Sequence, residues 1–208
     1  MDIDGFIKGF LKCTIVYESI AETDEDRIGF TGDGKRALRI RKNGRIKEVV
    51  YPRNTIVLDR YLLNSNEDSH RRFVLGHEAG HILVSRLDPD SPACFYHFTD
   101  RERKDYSIDD MRERYSINEW QANTIGAALL MPRYIMINTL KLFNGGRRLP
   151  VYGDNVFHPR EKVILGKMAD ALRVSRTALI IRLRDLGMLN RHDVSEYIKK
   201  ELRLGRDG

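Results

Sequence analysis

Two histidines four residues apart inside an apolar stretch constrain this chain more than any other feature. Residues Gly76-His77-Glu78-Ala79-Gly80-His81 place both imidazoles on one face of a helix, one turn apart. That is the spacing a tetrahedral zinc asks of two neutral imidazoles. Glu78 lies about 100° further round the helix, within reach of a water at such a metal. The helix is expected from Ser69 to Leu87, stopped by Asp88-Pro89 and Ser91-Pro92. Leu75, Ala79 and Ile82 form one apolar stripe, and Val74 and Val84 flank the histidines on another. A helix apolar on two sides is buried. Its internal glycines, Gly76 and Gly80, each cost about 1 kcal/mol relative to Ala. Glycine is tolerated there when another backbone or a ligand must come close. The competing reading, two core histidines beside a buried glutamate, leaves an ionised carboxylate unpaired at a cost of several kcal/mol. A divalent metal removes that cost, and the pattern is that of a metal-dependent peptidase.

Two histidines leave a catalytic zinc one protein ligand short. Glu119, at the head of a second helix expected over Ile117–Met131, is the candidate. Asn123 lies one turn further on the same face, where it can accept a hydrogen bond from a ligand imidazole's other N–H. Ser116-Ile117-Asn118-Glu119 also fits a helix capping box, which would account for Glu119 without a metal. Spacing alone leaves the two roles level.

The segment Glu119-Trp120-Gln121-Ala122-Asn123-Thr124-Ile125-Gly126-Ala127-Ala128-Leu129-Leu130-Met131-Pro132, taken with His77–His81, resembles the ImmA/IrrE family of metallo-endopeptidases. That family carries H-E-x-x-H followed by E-x-x-A-N-x-x-A-x-x-L-L-M-P. Gly126 stands here where Ala is usual. The resemblance is firm over about residues 54–132. It implies a zincin-like core, one catalytic Zn2+ held by His77, His81 and Glu119, and Glu78 as general base. It also implies a narrow protein substrate, a helix-turn-helix repressor of a phage or mobile element. Manganese or iron also suits such an O/N ligand set. Tyr96, His97, Tyr115 and Tyr134 are candidate oxyanion donors that the sequence does not rank.

The rest of the chain is read as α+β. A small antiparallel or mixed N-terminal sheet is expected from Thr14–Tyr17, an Asn43-Gly44 hairpin between Ala37–Arg41 and Ile46–Tyr51, and Thr55–Leu58. Thr55–Leu58 reads equally as a core strand or as an edge that pairs with an extended substrate. Asp24–Asp26 and Thr31–Gly34 read as turns, and the charged stretch 97–116 as a solvated loop with a short helix. Helices follow at Glu161–Leu172, Ser175–Leu186 and Val194–Leu204. The division is expected near the glycines at 145–146, giving a metallopeptidase domain over 1–145 and a helical basic segment over 146–208.

The net charge is +6, and residues 160–208 carry 12 Lys and Arg against 7 Asp and Glu. Met168–Leu183 resembles a helix-turn-helix, with Ser175 as the cap of a second helix bearing Arg176, Arg182 and Arg184. A packing or substrate-docking unit is preferred to DNA binding, which makes a DNA-binding regulator with a silent metal site the rival. His158 and His192 read as surface residues. The longest apolar runs fall short of the ~20 residues that span a bilayer. The acidic Met1–Asp4 start is unlike a signal peptide, so no membrane and a cytoplasmic location are expected. Cys13 and Cys94 are too few for a disulfide framework and are expected as idle thiols.

Overall fold

Alternating apolar residues make strands of most segments ahead of the histidine-bearing helix. The structure, a computed structural model, describes residues 1–22, 28–87 and 117–198, with only the backbone at 117 and 118. It is α+β. A short helix α1 (Ile3–Gly5), capped by Asp2, runs into a π-helical turn (Phe6–Phe10). Strands β1 (Thr14–Glu18), β2 (Gly29–Thr31), β3 (Ala37–Lys42), β4 (Arg45–Val50) and β5 (Thr55–Asp59) follow. The expected turn at 24–26, the charged stretch 97–116, and the end of the last helix beyond residue 198 lie outside the described residues.

β5 is the middle strand of a mixed sheet, β1-β5-β2. It runs parallel to β1 and antiparallel to β2. The reading of Thr55–Leu58 as an edge open to substrate is therefore corrected: both edges of β5 are taken, and Thr55 to Leu58 are buried. β2 is also a correction, because Thr31 closes a strand where a turn was expected. β3 and β4 form the expected hairpin. Asn43 and Gly44 sit at φ 53° and 74°, the positive values a type I′ turn requires. An isolated bridge from Ile20 to Ile40 ties this hairpin to the chain leaving β1.

Side-chain alternation along the strands sorts the core. Val57 of β5 and its partner Phe30 of β2 turn to one face, where they pack with Leu38, Ile40 and Tyr51. Ile56 and Leu58 turn to the other face together with their β2 partners Thr31 and Gly29. Against β2 and β5 lies α2 (Asp68–Leu87), the helix the sequence places there. Its Arg71 makes a two-pronged bond to Asp4, 3.0 Å at each oxygen, and fastens α1 to this helix. Helix α3 (Ile117–Leu130) packs along α2.

The chain divides into two compact units, Met1–Leu130 and Met131–Gly208. The division falls at the end of α3. The second unit opens with α4 (Arg133–Asn144), a helix not anticipated from the sequence, which ends in a left-handed cap at Gly145. β6 (Leu149–Tyr152) pairs in parallel with β7 (Leu189–His192). Between them lie α5 (Pro159–Leu172) and α6 (Arg176–Asp185). Ser175 caps α6 as expected, accepting from the Ala178 N–H at 3.1 Å. His158 and His192 are half-buried rather than surface residues, and both pack against the ring of Tyr152. Cys13 is a buried free thiol, and burial raises its pKa; Cys94 lies outside the described residues.

Candidate metal centre

Glycine sets the distance between the two helices that carry the site. A Cβ on Gly80 would lie 2.5 Å from the carbonyl oxygen of Ala122, and one on Gly126 would lie 2.7 Å from the carbonyl carbon of Gly76. Both are backbone contacts that cannot yield without moving a helix. The two α2 glycines are thus explained by helix approach, as is Gly126, the position that departs from the family pattern. The approach brings Glu119, on the first turn of α3, across to the histidines of α2.

Nε2 of His77 lies 3.3 Å from one Glu119 oxygen, and Nε2 of His81 lies 3.1 Å from the other. The two Nε2 atoms are 2.9 Å apart, and the rings stand nearly perpendicular, at 88°. One potential ligand atom from each of the three residues falls within 4.8 Å of the other two. All three are buried, Glu119 to 1% exposure. Asn123 is where the sequence reading places it: its Oδ1 accepts from Nδ1 of His77 at 2.9 Å. That bond keeps the His77 proton on Nδ1 and leaves the Nε2 lone pair pointing into the cluster.

Burial, the largest influence on Glu119, favours the neutral acid, but the two imidazoles outweigh it and hold the carboxyl at about 2. Burial likewise opposes a charged His77. Glu119, the charge of Glu78, and Asn123 together overcome that and raise its pKa. Yet the imidazole nitrogens approach Glu119 at ion-pair distance and not along hydrogen-bond directions, so both of its oxygens are buried without a hydrogen-bond partner among the described residues. The capping-box alternative for Glu119 turns on Ser116, which lies outside the described residues. Two imidazoles and a carboxylate, buried and converging, are a donor set that could hold a divalent cation.

Glu78 is buried at 4% exposure on the same helix. Its carboxylate is met by a strand that the sequence reading did not single out. The Thr31 hydroxyl of β2 donates to Oε2 at 2.6 Å. A signal was available: two residues, Phe30 and Thr31, carry β-forming side chains after Gly29. Such a run is too short to show a period. Of the candidate oxyanion donors, Tyr96, His97 and Tyr115 lie outside the described residues. Tyr134 is an exposed residue of the second unit.

A close, glycine-mediated helix pair carrying His-Glu-x-x-His on one side and a glutamate on the other is the residue set of a metallopeptidase. The chain matches the IrrE N-terminal-like domain, a peptidase family, over residues 11–184. It belongs to that family. No curated protein matches it. Among the described residues, no helix is long and apolar enough to cross a membrane.

Proposed function

We propose that this protein is a zinc-dependent endopeptidase of the ImmA/IrrE type that cuts one particular protein, a helix-turn-helix repressor of a phage or mobile element. One observation carries the catalytic part: His77, His81 and Glu119 converge in a buried cluster whose carboxylate oxygens lack hydrogen-bond donors among the described residues, with Glu78 on the same helix as the histidines. His77, His81 and Glu119 would hold the metal. When bound, the cation supplies Lewis acidity, which makes water acidic near neutral pH and steadies negative charge on a peptide oxygen. Glu78 takes a proton from the attacking water and returns it to the leaving nitrogen. Asn123 fixes the ring of His77. Family membership supports the choice of a single protein substrate.

The rival, a DNA-binding regulator, needs free arginines on α6. Arg182 instead donates to the Met131 carbonyl oxygen at 3.0 Å and is buried, and Arg184 donates to the Asp154 carbonyl oxygen at 2.6 Å. Only Arg176 of the three presents itself as an exposed cation. The test pairs metal analysis with proteolysis. Wild type and Glu78→Gln should both purify with one equivalent of zinc, Glu119→Ala with less, and only the wild type should cut the repressor. Cutting by Glu78→Gln at the wild-type rate would end the proposal.

A further inference from the structure

We propose that β2 is the seat of the Glu78 carboxylate, with Thr31 as the residue that positions it and Gly29 as the residue that leaves it room. The inference rests on the peptidase reading for its consequence, but not for its geometry. Thr31 and Gly29 lie two residues apart on one strand, so both face α2. The Thr31 hydroxyl donates to Oε2 of Glu78 at 2.6 Å, and both residues are buried. At Gly29 an added Cβ would stand 2.7 Å from Oε1 of Glu78 and 2.7 Å from Cγ1 of Val74. The strand therefore touches both carboxylate oxygens, one through a donor and one through a missing side chain. Phe30 between them anchors the strand in the core on the opposite face. Pairing with the central strand β5 fixes its height above the helix.

The consequence is a division of labour within one carboxylate. Oε2 is committed to Thr31. Oε1 receives no hydrogen bond from a described residue, so it is the oxygen that exchanges a proton. The O–H bond of water breaks as Oε1–H forms and the remaining hydroxide bonds to the peptide carbonyl carbon; Oε1–H then breaks as the N–H bond of the departing amine forms and the C–N bond breaks. A glutamate has three rotatable side-chain bonds, and unheld it would sample orientations that miss the water. A hydroxyl that donates to an ionised carboxylate makes one of the stronger hydrogen bonds in a protein, and one on a sheet strand is held more rigidly than one on a loop.

The first readout uses metal-free protein and no substrate. In a double-mutant cycle, Thr31→Val should lower the Tm of the first unit by about 4 °C or more in the wild-type background, the effect of losing a charge-assisted hydrogen bond. In Glu78→Leu the same change should be nearly silent. The second readout uses zinc-loaded protein with the helix-turn-helix repressor as the substrate. Thr31→Val and Gly29→Ala should lower kcat at least about tenfold with KM within about twofold, the pattern of a mispositioned base. Zinc content should stay at one equivalent, and Thr31→Ser should restore the rate. Equal Tm losses in both backgrounds, or an unchanged kcat in Thr31→Val, would overturn the seat. Coupling in the metal-free cycle, together with a zinc-loaded wild type that cuts nothing, would overturn the peptidase reading and leave the seat standing.

Discussion

Nδ1 of His77 lies 2.9 Å from Oδ1 of Asn123, a bond between two neighbouring helices that decides which ring nitrogen faces Glu119. Without it the imidazole is free to rotate about its Cβ–Cγ bond or to shift its proton to Nε2, where it would block a metal. Asn123→Ala should therefore weaken zinc binding about 10- to 100-fold with the fold intact. Asn123→Asp, which keeps the acceptor, should retain most of the affinity. Competition against a chromophoric chelator measures both, and equal affinities for wild type and Asn123→Ala would show the bond to be incidental.

The close approach of α2 and α3 gives a second expectation. An alanine at either Gly80 or Gly126 gains about 1 kcal/mol of helix propensity. It also drives a methyl group into the opposing backbone, at 2.5 Å from Ala122 O or 2.7 Å from Gly76 C. Overpacking of this kind costs about 1–3 kcal/mol, and more where backbone is the obstacle. Gly80→Ala should be net destabilising by roughly 1–2 kcal/mol. Because Glu119 rides on α3, zinc affinity should fall as well. Thermal unfolding and zinc titration of the same variant test the link; a variant more stable than wild type would contradict the packing.

The site was largely legible in the sequence because its signals are local. Four-residue spacing fixes His77 against His81 and Glu119 against Asn123, wherever the helices go. The partnership of α2 with α3 is not local, and it came from resemblance. What stayed hidden depends on pairing across distance. β2 is three residues long, and nothing in Gly29–Thr31 announces that Thr31 will meet a glutamate 47 residues away. The apolar run of β5 suits an edge or a central strand equally, and only the arrival of β2 settles it. β6 and β7 find each other across α5 and α6. Helix α4 was hidden by Pro132, read as the end of α3; the same proline is the N-cap of the next helix, a place where its missing N–H costs nothing.

The Asp4–Arg71 pair makes a prediction in pH. The hydrogen bond from Arg71, the largest influence, holds the Asp4 carboxyl below its ordinary 3.8. A depressed carboxyl pKa contributes stability above the unfolded value, and that stability is lost as the pH falls through the folded value. Arg71→Ala should thus cost about 1 kcal/mol at neutral pH, the discounted worth of a partly exposed ion pair. The difference from wild type should shrink as the pH is lowered below 3.8. Urea unfolding at several pH values tests this. A penalty that did not change on acidification would assign the loss to packing of the arginine stem instead.

Arg182 and Arg176 lie on one helix and should behave oppositely to substitution. Burial, the largest influence, lowers the pKa of Arg182, and nearby Arg133 adds to that. The guanidinium is tolerated because it satisfies the Met131 carbonyl. Arg182→Ala leaves that acceptor unpaired and opens a cavity, so the second unit should lose about 2 kcal/mol. Arg176 is exposed, and Arg176→Ala should change stability by less than about 0.5 kcal/mol. The pair also discriminates function. Were α6 a DNA-reading helix, Arg176→Ala would weaken duplex binding and flatten its salt dependence by about one unit of log–log slope. The peptidase reading expects no such change, and repressor cleavage by Arg176→Ala at the wild-type rate.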